Sequence, residues 1–310
     1  MGKSCSITRR KTRIYIDFYG TRNQPVHNFL EKALPRGGVV PAFKTNNIFL
    51  IRLANKLCNL GVPYFYSLLL GNWKKEMKNY EEIVLVANYL TINVVKIIQS
   101  KIPGKKVNIY YFNIIEKDIS LEYWKEFNCK IWTFDRNDAE KYNLNLISNV
   151  SCYENFSLPP SIKKWDISFV GTDKGRISTI IELENIFKSL GLIMNFHVVS
   201  TGEQNTFNYP YKEAINYDEL IKIMNQSNSV LDIVQDGQVG MTLRPIEAGF
   251  LKKKLITNSK EILNAFYYNS SNIFVIGHDD FESLPMFLNT EYKDVFDYNF
   301  FDIESWLERF

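Results

Sequence analysis

Gln235-Asp236-Gly237-Gln238-Val239-Gly240-Met241-Thr242-Leu243-Arg244-Pro245-Ile246-Glu247-Ala248 joins a short apolar run, residues 229–233, to an amphipathic segment. The glycines mark a turn, and Pro245 suits the first turn of a helix, where its missing N–H costs nothing. A strand, a glycine-containing turn and a helix in that order make one step of a βαβ unit. The turn ends at a positively polarised helix terminus, and Arg244 stands where it could neutralise a pyrophosphate. Glu247, one turn along, could accept hydrogen bonds from ribose hydroxyls. The same two residues are three apart on a helix, so pairing with each other is the alternative.

A second turn of this kind lies upstream, in Ile167-Ser168-Phe169-Val170-Gly171-Thr172-Asp173-Lys174-Gly175-Arg176. An apolar strand ends at Gly171 and a helix starts after Gly175, which brings backbone N–H groups and a helix end to one point suited to an anion. Arg176 adds a fork of donors matched to a phosphate. Glycines after strands also occur simply because turns need them.

The alternation continues outward from these turns. Strands are expected at 166–170, 195–199, 229–233, 254–257 and 273–276, with helices at 177–190, 217–226, 243–249 and 260–266. Ile303, Trp306, Leu307 and Phe310 share one face of a final helix, 303–310, that packs back on the body. In the first half the expected strands are 13–18, 62–69, 83–87, 107–112 and 130–134, with helices at 46–60 and 91–101. Short apolar runs alternating with helical patterns indicate an α/β fold with parallel sheets. A length of 310 residues suits two domains. The loop at 155–164 contains Pro159-Pro160, which fits neither a helix nor a central strand, so the domains are expected at 1–157 and 158–310.

Hydrophobic residues at 45% and charged residues at 23% are those of a folding globular chain. The net charge of +3 hides an asymmetry. Residues 1–155 carry 23 Lys and Arg against 13 Asp and Glu, a surplus of ten positive charges, whereas 156–310 carry 14 against 21, a surplus of seven negative. The basic half implies either an anionic partner or a solvated basic face. No recognised nucleic-acid motif accompanies the charge, so nucleic acid is not expected as a partner. Cys5, Cys58, Cys129 and Cys152 are widely spaced and read as reduced thiols. The basic N-terminus leads into a strand pattern instead of a signal-peptide core, and no stretch has the length of a membrane span. A cytoplasmic protein is expected, at most resting on the inner face of the cytoplasmic membrane.

Phe169-Val170-Gly171-Thr172 with Arg176, Tyr217-Asp218-Glu219-Leu220 leading into Val230-Leu231-Asp232-Ile233, the segment 240–247, and Lys254-Leu255-Ile256-Thr257-Asn258 together resemble the donor-binding half of GT-B glycosyltransferases. The likeness is closest to bacterial enzymes of lipopolysaccharide core or surface polysaccharide synthesis, including the core rhamnosyltransferase group. It spans about residues 130–277, and Trp132-Thr133-Phe134-Asp135-Arg136-Asn137-Asp138-Ala139-Glu140-Lys141-Tyr142 resembles the end of their acceptor domain. The resemblance implies two Rossmann-like domains facing a cleft, the N-terminal one binding the acceptor and the C-terminal one the nucleotide sugar. It places Gly171, Thr172 and Gly240 in the donor turns, Arg176 and Arg244 facing the diphosphate, Thr242 and Leu243 offering backbone N–H groups, and Glu247 on the ribose. It also implies no cofactor and no metal, and the chain has no Asp-x-Asp motif.

The expected reaction moves rhamnose or another hexose from a nucleotide diphosphate to a lipopolysaccharide core or surface glycan acceptor, itself anionic. The alternative is a non-catalytic nucleotide-sugar or phosphate-binding protein. An inverting transfer needs a base for the acceptor hydroxyl. The turn after the first strand, Asp17-Phe18-Tyr19-Gly20-Thr21-Arg22-Asn23-Gln24-Pro25-Val26-His27, supplies Asp17 and His27. Asp17 also reads as a strand-end acceptor of backbone N–H groups, and His27 as an exposed loop residue. His197 reads as a core residue, His278 as a turn residue, and Lys252-Lys253-Lys254 as a solvated helix end.

Overall fold

A computed structural model describes residues 13–18, 33, 38–159, 161–202, 207–235 and 237–310. By their contacts the described residues form two compact units, the first reaching to Trp132 and including Leu307–Phe310, the second running from Thr133 to Trp306.

The chain order is β1 (Arg13–Asp17), β2 (Val39–Pro41), α1 (Ile48–Asn59), α2 (Pro63–Leu69), α3 (Trp73–Glu76), β3 (Glu82–Val86), α4 (Tyr89–Lys101), β4 (Lys106–Tyr111), β5 (Cys129–Thr133), α5 (Arg136–Tyr142) and β6 (Asn145–Leu146). Their sheet has the order β2-β1-β3-β4-β5-β6, and the β1–β2, β1–β3 and β3–β4 pairs are parallel. Strand β3 is buried along its whole length, as a strand covered on both faces must be. Asn88 caps α4 by accepting from the Leu90 and Thr91 N–H groups, and Val94, Val95, Ile97 and Ile98 form its buried face.

The second sheet contains β7 (Trp165–Thr172), β8 (Met194–Val199), β9 (Ser227–Asp232), β10 (Lys254–Thr257) and β11 (Ile273–Val275). Between and after them lie α6 (Ile177–Ser189), α7 (Tyr217–Asn225), α8 (Leu243–Phe250), α9 (Leu284–Asn289), α10 (Tyr298–Phe301) and α11 (Ile303–Leu307). The strand order is β11-β10-β9-β7-β8, with every neighbouring pair parallel. Ile167, Phe169, Leu231, Ile256 and Phe274 of the sheet share one core with Ile180, Leu183 and Phe187 of α6. Both sheets therefore begin 2-1-3-4-5 in chain order, a doubly wound arrangement whose direction of progression reverses beside the first strand.

Three expectations are corrected. Residues 62–69 are not a strand: Pro63 opens α2, and only Tyr66 on that helix is fully buried. An apolar run of that length fits either period, and the proline at the first helical position settles it. The helix expected at 260–266 is a 3-10 helix, Lys260–Asn264. In the run 252–254 only Lys252 is solvated, since Lys253 and Lys254 are buried. Their ammonium groups are satisfied by carbonyl oxygens: Lys253 donates to Asn225 at 2.7 Å, and Lys254 to Ser271 at 2.8 Å and Phe287 at 2.6 Å. Strand β2 is an addition to the expected set.

Ile303, Trp306, Leu307 and Phe310 are all buried, but the helix expected over 303–310 ends at Leu307 and Phe310 lies beyond it. Trp306 donates its indole N–H to the Ser148 carbonyl at 2.7 Å. Replacing Trp306 by Ala removes a fully buried ring and its hydrogen bond to that carbonyl, so urea unfolding should show a loss of about 3–5 kcal/mol. Trp306→Phe should lose distinctly less, because most of the ring volume is retained.

Candidate functional site

From β7 the chain passes through α6 to β8 on one side, then returns through α7 to β9 on the other. The turns leaving β7 and β9 consequently diverge at the carboxyl edge of the sheet, and such a switch point is where open α/β sheets bind ligands. Both candidate turns lie there. Gly171 and Thr172 are the last residues of β7, Arg176 precedes α6, and the 233–242 loop leads from β9 to α8.

The two arginines cross the switch point in opposite directions. Arg176 donates to the Ile233 carbonyl beyond β9, and also to the Thr172 carbonyl at 2.7 Å and the Asp173 carbonyl at 3.1 Å. Arg244, from the start of α8, reaches back to the Val170 carbonyl of β7 at 3.0 Å and pairs with Glu247. A Cβ at Gly171 would press on the Phe169 ring at 3.3 Å, while it would stand in ordinary contact, 3.6 Å, with the Arg176 guanidinium. The guanidinium also packs over the Phe169 ring, 5.6 Å from its centre. Burial works against the charge of Arg176, and Asp232 and Asp173 offset part of that cost.

Glu247 is 2% exposed. Besides Arg244 it receives the Tyr217 hydroxyl at 2.9 Å, and burial together with this carboxylate holds the Tyr217 phenol well above its ordinary pKa. The structure thus places Glu247 behind Arg244 with no open face, while Gly171, Thr172, Arg176, Thr242, Leu243 and Arg244 are half-buried along the edge.

Thr242 is the N-cap of α8: its hydroxyl oxygen accepts from the Arg244 N–H at 3.2 Å and its hydroxyl donates to Asp232 at 2.9 Å. The other Asp232 oxygen accepts from the Thr257 hydroxyl at 3.2 Å. Burial pushes the Asp232 carboxyl above its ordinary range, opposed by Thr242, Arg244, Arg176 and Thr257. The Arg176 N-cap of α6, by contrast, makes no side-chain capping bond.

Spacing assigns no task to the residue that shapes the second turn. Asp135, buried at the start of α5, accepts from the Gly240 N–H at 2.6 Å and the Val239 N–H at 2.9 Å through one oxygen. Its other oxygen caps α5 by accepting from Asp138 at 3.1 Å. Gly240 lies so close that a Cβ there would stand 2.7 Å from both the Asp135 Cα and the Phe134 carbonyl oxygen. Asn149 holds the next residue, donating to the Met241 carbonyl at 2.6 Å. Asp135, Tyr217 and Asp232 occur in stretches that carry the resemblance, yet only the tertiary structure gives them partners.

Asp17 belongs to the first unit. It ends β1 next to that sheet's own switch point, between β1 and β3, and is buried. His27 lies outside the described residues. His197 contacts the Glu213 carbonyl at 2.7 Å, and His278 sits in the turn after β11 at 3.0 Å from Asp279.

The chain matches no protein-family model and no curated protein. Among solved structures it is similar to sucrose-phosphate synthase from Thermosynechococcus elongatus, at 9% identity and a TM-score of 0.49, covering 87% of this chain and 81% of that one. UDP-GlcNAc 2-epimerase from Methanocaldococcus jannaschii gives 11% identity and a TM-score of 0.39 over 91% of this chain and 87% of that one. The lipopolysaccharide outer core galactosyltransferase WaaB gives 11% and 0.39 over 96% and 94%. The fold follows from the chain's own strand order.

Two outcomes are expected. Gly240→Ala must push the loop off Asp135, and Asp135→Asn places an amide donor or a weaker acceptor against donors. Each should lower stability by about 1.5–3 kcal/mol in denaturant titrations, the scale of hydrogen bonds to charged groups. Asp232 holds its proton to higher pH in the folded state than in the unfolded one. Its contribution to stability is therefore fully present below the ordinary carboxylate value of about 3.9 and is lost as pH rises through the raised one. Asp232→Asn should flatten this part of the stability profile measured against pH.

Proposed function

We propose that the chain is a glycosyltransferase that binds a nucleotide diphosphate sugar at the carboxyl edge of its second sheet. The observation that carries this reading is the crossing of Arg176 and Arg244 over the switch point between β7 and β9. A guanidinium has five N–H donors. The carbonyl bonds orient each fork without using all of them, so donors remain for a diphosphate. The N-termini of α6 and α8 add positive potential at the same edge. Charge building up on the leaving diphosphate is offset by these groups, which are already oriented and need little rearrangement. Thr242 and Leu243 offer backbone N–H groups at the opening of α8, and Gly171 and Thr172 form the floor. Glu247 acts in this reading by fixing Arg244, and reaches a ribose only if that pair opens.

Asp17 in the first unit, with His27, is the proposed source of the base for the acceptor hydroxyl. The ten-charge surplus of residues 1–155 supports an anionic acceptor, such as a phosphorylated lipopolysaccharide core or surface glycan. Rhamnose or another hexose is the proposed cargo, on the strength of the sequence resemblance.

The test is calorimetric titration of UDP, dTDP and GDP into the chain and into Arg176→Ala and Arg244→Ala. One nucleotide should bind, and each substitution should weaken it by about tenfold, or 1.4 kcal/mol. Arg176→Ala is the cleaner variant, because Arg244→Ala also strands the buried Glu247 carboxylate. If none of the three binds, or neither arginine matters, the donor site is wrong. Binding without transfer from any sugar nucleotide would favour the non-catalytic alternative.

A further inference from the structure

Helices α1 and α2 pack as a hairpin on the first unit, and the hairpin's inner face is well anchored. Ile51 and Ala54 of α1 and Tyr66 of α2 are buried, and the Tyr66 hydroxyl donates to the Leu90 carbonyl at 2.7 Å. Asn93 of α4 donates to Asn55 at 2.9 Å and Asn59 at 2.7 Å. The outer face carries what a solvated hairpin should lack. Phe49, Leu53 and Leu60 fall at i, i+4 and i+11 along α1 and its end, and are 74%, 48% and 71% exposed. Val62 before α2 and Tyr64 and Phe65 in its first turn add to them, with Tyr64 65% exposed. In all, eight large apolar side chains between residues 49 and 68 face outward. Single exposed apolar residues are ordinary, but eight on one helical hairpin mark an interaction surface.

The surrounding charge selects the occupant. Residues 44–78 contain Lys44, Arg52, Lys56, Lys74, Lys75 and Lys78 against one acid, Glu76. Lys74 shows the crowding: burial lowers the pKa of its ammonium, and Lys101, Lys44 and Lys75 lower it further. A second copy would oppose this surface with the same positive charge. An anionic bilayer would instead receive the apolar tip below its headgroups while the lysines stay among the phosphates, the division of labour of interfacial helices. Tyr64 suits the headgroup level, as its ring is apolar and its hydroxyl polar.

We infer that the α1–α2 hairpin, with its apolar face and the lysines beside it, docks the chain on an anionic phospholipid surface. The hairpin lies wholly in the first unit, so this inference stands apart from the donor reading and fails or holds without it. Among the described residues no helix is long and apolar enough to cross a membrane, so the contact is peripheral.

The test is co-sedimentation of the full chain with vesicles of phosphatidylcholine alone, and with vesicles containing about 30% phosphatidylglycerol. Partitioning onto the anionic vesicles should be tighter by about tenfold or more, and should weaken with added salt. Two paired variants separate the contributions: Leu60→Ser with Phe65→Ser removes apolar contact, and Lys75→Glu with Lys78→Glu reverses charge. Each should lower partitioning onto the anionic vesicles by about tenfold or more. All four side chains are exposed, so far-UV circular dichroism should not change. The inference is overturned if both vesicle types bind equally, if neither binds, or if the apolar pair leaves binding intact. A concentration-dependent dimer that the apolar pair abolishes would also overturn it, by assigning the face to a second copy.

Discussion

The carboxylate of Asp135 accepts three backbone N–H groups, one from the helix it starts and two from a loop more than a hundred residues away. A buried carboxylate has lost its water, and converging amide donors replace that solvation. The loop must therefore come to the carboxylate, and only glycine at position 240 lets it come close enough. From there a sequence of constraints follows: Met241 is held by Asn149, Thr242 caps α8, and the helix start sets where Arg244 can reach. The arrangement of cations at the sheet edge is thus fixed from behind, by an anion that does not itself line that edge.

The edge combines opposing electrostatic requirements. Two guanidinium groups lie near one another, which is unfavourable, and strand-end carbonyls together with Asp232 and Glu247 hold them in place. Asp232 is costly in turn, because its burial favours the protonated form.

Legibility in the sequence followed the burial of the strands. The second sheet is parallel and covered on both faces, so its strands appear as short apolar runs between helical patterns, and 254–257 coincides with β10 to the residue. The turns after β7 and β9 showed themselves through glycines and arginines. Residues 62–69 misled because the outward face of α2 is as apolar as its inward one, which erases the helical period. Lys253 and Lys254 misled because charge in a sequence implies water, and here carbonyl oxygens stand in for it. Asp135 was illegible in role, since its partners lie 104 and 105 residues away and no local pattern encodes that distance.

The residues Leu307–Phe310 belong by their contacts to the first unit, not the second. Arg13 donates to the Glu308 carbonyl at 3.1 Å and the Phe310 carbonyl at 2.6 Å, and the Phe310 ring meets Trp132 edge-on with centres 5.0 Å apart. The first unit therefore cannot be completed as it leaves the ribosome. Strand β1 finds β2 and β3 early, but Arg13 and Trp132 meet residues 308–310 only after the second unit has been synthesised, so the unit made first is finished last. Until then the Trp132 and Tyr110 rings lack the edge-on contacts that Phe310 makes with them.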